Sequence, residues 1–113
     1  MSATTPAAFK VALVQMRSGV NPQANLAAAL AAIDEAKSVG ADYVLTPEVT
    51  NIMESNRERL FAAIVDEEQD PALAALREAA RRLGIYVHIG SLSVKASPDK
   101  AANRSFLIDR ADR

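Results

Sequence analysis

Runs of hydrophobic residues divide the chain into strands and helices. Residues 9–16 are apolar on both faces, which is typical of a parallel strand covered on each side by another layer. Residues 42–46 and 85–92 form two further apolar runs of strand length, and residues 102–109 form a fourth with Phe106, Leu107 and Ile108 at its centre. The hydrophobic pattern therefore predicts four strands.

A long helix is predicted between the first two strands. Asn21 is a favourable N-cap, Pro22 suits the first helical position, and Gly40 is the expected stop after Val39. The spacing of the larger apolar residues predicts a buried stripe of Leu26, Leu30 and Ile33. The resulting strand–helix–strand unit should be right-handed with parallel strands.

Two further helices are predicted before the third strand. Ser55 and Glu58 match a capping box ahead of the apolar run 60–65, and Asp70-Pro71 begins another helix that ends at Gly84. The buried stripe of that helix is predicted to be Leu73, Leu76, Ala80 and Leu83. Turn residues at 97–100 predict an antiparallel hairpin between strands three and four. The whole pattern, strand-helix-strand-helix-helix-strand-strand, is that of an α/β fold.

Composition narrows the functional classes. The 113 residues carry a net charge of −1, which gives no reason to expect a nucleic acid or an anionic membrane as a partner. No apolar run approaches the roughly 20 residues that span a bilayer. Residues 1–8 are small and polar, and we interpret them as a flexible leader rather than a secretory signal. A cytoplasmic location is the resulting expectation.

The candidate chemistry is limited. With no cysteine and one histidine, neither a thiolate metal site nor a histidine-based zinc site is expected. The four glycines cannot form a G-x-G-x-x-G phosphate loop, and no metal or cofactor is expected. Glu48 directly follows the second strand, and ligands usually bind at strand ends in open α/β sheets; the alternative is a solvated loop acid. Gln15 ends the first strand and could line the same cleft, or simply bond to backbone. His88, on an otherwise apolar strand, is more typical of a hydrogen-bonded core residue than of a catalyst.

Five segments, in order, resemble one known family. They are Lys10-Val11-Ala12-Leu13-Val14-Gln15-Met16; Asn21-Pro22 with Asn25-Leu26; Gly40-Ala41-Asp42 with Leu45-Thr46-Pro47-Glu48; Gly84-Ile85-Tyr86-Val87 with Gly90-Ser91; and Asn103-Arg104-Ser105. This order is similar to the N-terminal part of the nitrilase superfamily of carbon–nitrogen hydrolases, and the resemblance extends over nearly the whole chain from Phe9 onward.

The resemblance implies a fold and a reaction. The superfamily fold is a four-layer α-β-β-α sandwich, and its members hydrolyse nitriles, amides or carbamoyl groups with a Glu-Lys-Cys triad. By position, Glu48 corresponds to the triad base. Thr46-Pro47-Glu48 followed by Asn51 most resembles the omega-amidase and deaminated-glutathione amidase branch, which implies a small amide substrate and places Asn51 near it.

The chain departs from the family pattern in one large respect. The family lysine normally follows the strand that begins near Asn103, and its cysteine comes later, whereas this sequence stops at Arg113. We therefore expect residues 9–113 to be the N-terminal portion of a hydrolase domain, inactive alone, that pairs with the missing C-terminal part. A non-catalytic half-domain that pairs with another chain or with itself is the alternative, and a homo-oligomer is expected. An unrelated flavodoxin-like domain would instead require a parallel fourth strand.

Overall fold

A single four-stranded sheet organises residues 9–111, the part of the chain described by the computed structural model; the predicted leader, residues 1–8, lies outside it. The strands are β1 (Val11–Leu13), β2 (Tyr43–Leu45), β3 (Tyr86–Ser97) and β4 (Lys100–Ile108), in that order across the sheet. β1, β2 and β3 are parallel, and β4 runs antiparallel to β3. The predicted α/β topology and hairpin are confirmed, and the flavodoxin-like alternative is wrong.

Capping residues fix where the helices begin. The helices are α1 (Pro22–Ser38), α2 (Arg57–Ala63) and α3 (Pro71–Leu83), with one 3₁₀ turn at Glu67–Gln69. Asn21 and Asp70 cap α1 and α3 as predicted, through side-chain oxygens that accept from Ala24 N and Leu73 N. α2 begins one residue later than the capping box predicts, because the side chain of Asn56 rather than Ser55 accepts the hydrogen bond, from Arg59 N.

The helices α1 and α3 share one hydrophobic core with the sheet. The predicted stripe of α3 is confirmed, with Leu83 partly buried at its margin. The predicted stripe of α1 is only partly right: its buried residues are Asn25, Ala29, Ile33 and Ala36. Leu26 and Leu30 lie at the margin of the core. The inward face begins at Asn25 because hydrogen bonds to Gly19 and Asn51 satisfy that buried amide.

The other face of the sheet is uncovered in the described residues. Val11 is 50% exposed and Leu13 is 71% exposed, so the prediction that the first strand is covered on both sides is wrong for this part of the chain. Strand alternation and register place seven residues on this bare sheet face: Val11, Leu13, Tyr43, Leu45, Tyr86, His88 and Leu107. The ring of Phe9 joins them beside Tyr43 and Tyr86. Residues 9–111 thus form two layers, one of helices and one of strands. None of the described helices is long and apolar enough to cross a bilayer.

A β-bulge interrupts β3. Between the pairs Ile89–Phe106 and Leu92–Arg104, both Gly90 and Ser91 lie opposite the single residue Ser105. The bulge changes which positions face the core, from 85, 87 and 89 before it to 92 and 94 after it. β3 continues five residues beyond the predicted end at Leu92, because its later residues pair with β4.

Candidate active site

The segment that follows β2, residues 46–51, carries the candidate base and is here named the Glu48 turn. Thr46 N donates to His88 O at 2.9 Å, and Gly90 N donates to Thr46 O at 3.1 Å. These two bonds continue the β2–β3 ladder past the end of β2. The Glu48 turn therefore begins alongside β3, at the carboxyl edge of the parallel strands.

Thr50 closes the Glu48 turn. Its hydroxyl lies 2.5 Å from the carbonyl oxygen of Pro47 and 2.9 Å from the hydroxyl of Thr46. Both threonines are buried. The hydroxyl of Thr50 thus bonds to residues on the other side of Glu48 in the sequence. These bonds fix the backbone before and after Glu48.

Gly90 allows the Glu48 turn to lie against β3. A Cβ atom at this position would lie 2.4 Å from Thr46 O and 2.6 Å from Pro47 C, both backbone atoms. Such distances are far inside van der Waals contact. The turn and the strand can therefore approach this closely only where β3 has no side chain.

Glu48 itself is exposed at the tip of the turn. Within residues 9–111 the structure gives its carboxylate no hydrogen bond and no ion pair. An exposed carboxylate on a fixed backbone is available to accept a proton from a group placed against it. The same residues provide neither a cysteine nucleophile nor a lysine assigned to the triad position.

Asn51 lies at the end of the turn and is only 5% exposed. Its Nδ2 donates to Ser93 O and its Oδ1 accepts from Ser93 N, both at 2.9 Å. Its own carbonyl accepts from Asn25 Nδ2. The amide thus pairs with β3 as a further ladder residue would, and its contact with substrate stays a prediction.

The other two sequence candidates lie on neighbouring strands. Gln15 is exposed just past β1, the strand beside the one that Glu48 follows. The Nδ1 atom of His88 shares a 2.5 Å hydrogen bond with the Tyr43 hydroxyl, on the bare sheet face. His88 is therefore hydrogen-bonded, as predicted, but partly exposed rather than in the core.

Sequence reasoning did not predict that Ser91 binds the backbone of the Glu48 turn. Val49 N donates to Ser91 Oγ at 2.7 Å, and Thr50 N donates to Ser91 O at 2.9 Å. The one available signal was Gly90 inside a strand pattern, which is typical of a bulge or of close backbone approach.

A cavity of about 260 Å³ lies where the three helices converge near the end of the Glu48 turn. Its lining residues are Pro22, Gln23, Leu26, Asn51, Ile52, Ala63, Val65, Asp70, Pro71 and Ala72. Glu48 does not line it, and the polar groups of Asn51 and Asp70 are already bonded within the protein. This cavity shares Asn51 with the Glu48 turn but does not include the candidate base.

Comparison with known proteins identifies the family. The carbon-nitrogen hydrolase family profile matches residues 10–113. The chain is 33% identical over 101 residues to deaminated glutathione amidase of Yersinia enterocolitica and to the chloroplastic omega-amidase of Arabidopsis thaliana. These alignments cover 88% and 87% of this chain, and 35% and 26% of the relatives.

Solved structures agree with the sequence relatives. A cysteine mutant of the Nesterenkonia AN1 amidase, from the nitrilase superfamily, superposes with a TM-score of 0.77 at 29% identity, covering 94% of this chain and 40% of that one. Another cysteine mutant of that amidase, in complex with butyramide, superposes with a TM-score of 0.76. The chain belongs to the carbon–nitrogen hydrolase family, and its fold matches part of the fold of the nitrilase-superfamily amidases. It spans about a third or less of the length of the curated relatives it matches.

Proposed function

We propose that this chain supplies the general base, Glu48, of an amidase that hydrolyses carbon–nitrogen bonds of small amides. The lysine and cysteine of the Glu-Lys-Cys triad would come from residues beyond position 113. The observation that carries the proposal is the exposed Glu48 carboxylate on a backbone fixed against β3, within a family match that extends over residues 10–113.

The proposed reaction follows the chemistry of the family. Glu48 takes the proton of the cysteine thiol, and the thiolate attacks the amide carbon to give a tetrahedral intermediate, whose negative oxygen the lysine stabilises. The carbon–nitrogen bond breaks and ammonia leaves with the proton. Water, deprotonated by Glu48, then hydrolyses the thioester to the carboxylic acid and the free thiol.

The relatives support a small amide as substrate. One neighbour is an amidase bound to butyramide, and the sequence relatives are an omega-amidase and a deaminated glutathione amidase. The omega-amidase branch leads us to propose an amide that also carries a carboxylate. Asn51, at the end of the Glu48 turn, is proposed to lie near that amide.

The proposed chemistry requires that water be excluded from Glu48, and the bare sheet face lacks a covering layer in the described residues. Proton transfer and oxyanion stabilisation are strongest where water is excluded, whereas Glu48 is exposed. We propose that the C-terminal part of the protein covers both, adding the two layers that complete the α-β-β-α sandwich. A homo-oligomer and a cytoplasmic location remain predictions.

The experiment measures ammonia release from small aliphatic amides. It uses the complete natural protein that contains these residues, its Glu48→Gln variant and residues 1–113 alone. Loss of the base should lower kcat by about 10²–10⁴-fold. Glu35→Gln, at an exposed glutamate on α1, is the matched control and should keep full activity. Full activity of the Glu48→Gln variant would overturn the proposal. If residues 1–113 alone release ammonia and Glu48→Gln abolishes that activity, the triad lysine and cysteine are not required.

The bare sheet face also favours a second candidate, a non-catalytic half-domain that pairs with another chain or with itself. Exposed apolar residues grouped on one sheet face mark interaction surfaces. Under this alternative the complete natural protein releases no ammonia from any amide and forms a stable assembly through this face. Amide hydrolysis by that protein would exclude it.

A further inference from the structure

We propose that Ser91 is a positioning residue for Glu48, which it controls through the backbone of Val49 and Thr50. The proposal rests on the proposed role of Glu48 as base. In the described residues Ser91 acts on this turn through hydrogen bonds to backbone amides, so its effect should be on the position of Glu48.

The first observation is the strained backbone next to Glu48. Val49 has a φ of 46°, in the left-handed region, and it is the one non-glycine residue with positive φ in the described part of the chain. A β-branched residue is a genuine outlier there, since its Cβ crowds the backbone. Such a conformation persists only where surrounding contacts impose it, and such residues cluster at active sites.

The second observation identifies the contacts that impose it. The hydroxyl of Ser91 accepts from Val49 N at 2.7 Å, and the carbonyl of Ser91 accepts from Thr50 N at 2.9 Å. One residue of β3 therefore binds two consecutive amides that directly follow Glu48. Releasing either amide would let Val49 return to negative φ and turn the Glu48 peptide away from the edge of β2.

The third observation explains why Ser91 can reach these amides. Ser91 is the second residue of the bulge in β3, and bulges next to active sites commonly redirect a side chain. The first bulge residue, Gly90, admits the backbone of Thr46 and Pro47. The bulge thus provides both the space for the turn and the hydroxyl that holds it.

Precise placement matters for this reaction because proton transfer needs a donor–acceptor distance near hydrogen-bond length. Glu48 has no side-chain partner in the described residues, so its position depends on its backbone. By fixing that backbone, Ser91 determines where the Glu48 carboxylate lies.

The first test measures the turn directly in this chain, by amide hydrogen exchange. Ser91→Ala should speed exchange of Val49 N–H by about tenfold, the value of one hydrogen bond, while the amides of Val87 and Ile89 keep their rates. The matched control is Ser105→Ala, which removes a hydroxyl bonded to Gly90 O on the opposite side of the same bulge. Unchanged exchange at Val49, or an equal effect of Ser105→Ala, would overturn the proposal.

The second test measures catalysis in the complete natural protein. Ser91→Ala should lower kcat by about 10–100-fold, as misplacement of a catalytic group does, with KM changed by less than about twofold. Adding Val49→Gly to the Ser91→Ala variant should restore at least half of the lost kcat on a logarithmic scale. Glycine adopts positive φ without strain, so it needs less support from Ser91. A purely structural role of Ser91 predicts no such rescue, so absence of rescue would overturn the proposal.

The two tests separate this proposal from the proposed function. If Glu48→Gln keeps full activity, the proposed function is wrong, and exchange at Val49 alone decides whether Ser91 holds the turn. If Glu48→Gln abolishes activity and Ser91→Ala leaves kcat unchanged, Glu48 is the base and Ser91 does not position it. Should Ser91→Ala fail to fold, Ser91→Cys replaces it, since a thiol is a weak acceptor.

Discussion

At the scale of single residues, Gly90 has the clearest structural requirement. A Cβ at this position meets backbone atoms of Thr46 and Pro47, which cannot swing aside as the end of a flexible side chain would. Any substitution must therefore displace either β3 or the Glu48 turn.

Gly90→Ala should lower the free energy of unfolding by about 1–3 kcal/mol, the usual cost of overpacking. Urea denaturation followed by circular dichroism measures it. Gly19→Ala is the matched control, because nothing lies within 4 Å of its added Cβ and its φ is not positive; its effect should stay within about 0.5 kcal/mol. Equal stability of the two variants would contradict the close approach at Gly90.

Glu54 should make the stability of the fold depend on pH. The backbone N–H of Asn56, which donates to the Glu54 carboxylate, lowers the pKa of that carboxyl below its ordinary value of 4.5; burial opposes this, and Arg59 adds to the lowering. Since the folded-state pKa is depressed, the carboxylate stabilises the fold above the unfolded-state value. That contribution is lost as the pH falls through the folded-state pKa.

Glu54→Gln should therefore be less stable than the wild type near neutral pH, and the difference should shrink below pH 4.5. Urea unfolding at steps between about pH 7 and about pH 3 measures the difference. Glu35→Gln, at an exposed glutamate on α1, controls for the loss of one negative charge. A Glu54→Gln difference that stays constant into acid would contradict the assignment.

The sequence predicts the location of Glu48 but not what holds it. A proline and a carboxylate directly after an apolar run are visible locally, and so is the strand edge they follow. Ser91 lies 42 residues away from the amide it binds, and Asn51 is 42 residues from Ser93. Pairings over such distances depend on the register between the turn and β3, which no local pattern records.

At the scale of secondary structure elements, the N-cap of α3 should be worth more than that of α2. Asp70 is 5% exposed and its Oδ1 accepts from Leu73 N at 3.0 Å, whereas Asn56 caps α2 on an exposed surface. Loss of the buried cap leaves an amide that water does not easily reach.

Asp70→Ala should destabilise the protein by about 1–2 kcal/mol, and Asn56→Ala by about 0.5–1 kcal/mol, within the range measured for cap removal. Thermal unfolding monitored by circular dichroism compares them, with Asn56→Ala as the matched exposed cap. A larger loss for Asn56→Ala would reverse the ranking.

Local signals located these elements well because caps and stops act within one turn of helix. Asn21, Asp70 and Gly84 mark ends that the structure confirms. Apart from the one-residue shift at the start of α2, the errors arose where tertiary contacts decide. The hydrogen-bonded side chain of Asn25 places positions 25 and 29 of α1, rather than 26 and 30, in the core. Pairing with β4 extends β3 beyond Leu92, and the bulge at Gly90 and Ser91 interrupts its alternating pattern.

At the scale of the whole molecule, the bare sheet face dominates the expected behaviour in solution. Leu13 is 71% exposed and Leu107 is 59% exposed, on opposite edge strands of this face. The apolar pattern of residues 9–16 predicted a strand covered on both sides, because a local pattern does not record whether a covering layer lies within residues 9–111.

The isolated chain should self-associate through this face, so its weight-average mass in sedimentation should rise with concentration. Leu13→Lys with Leu107→Lys should abolish the rise, because a bare charge is costly to bury. Val20→Lys with Val39→Lys is the matched control, since both valines are 61% exposed and neither lies on the sheet. A monomer at every concentration, or equal effects of the two pairs, would contradict the prediction.

The two-residue turn at Pro98-Asp99 bears on the order in which the chain folds. β3 and β4 are adjacent in sequence, and hairpins form in about 1–10 μs. β1 and β2 are separated by the whole of α1, so their pairing must close a much longer loop. We therefore expect the hairpin to form early and the parallel ladder to be rate-limiting. The strand that carries Gly90 and Ser91 would then exist before the Glu48 turn arrives, and would act as the template on which that turn acquires its shape.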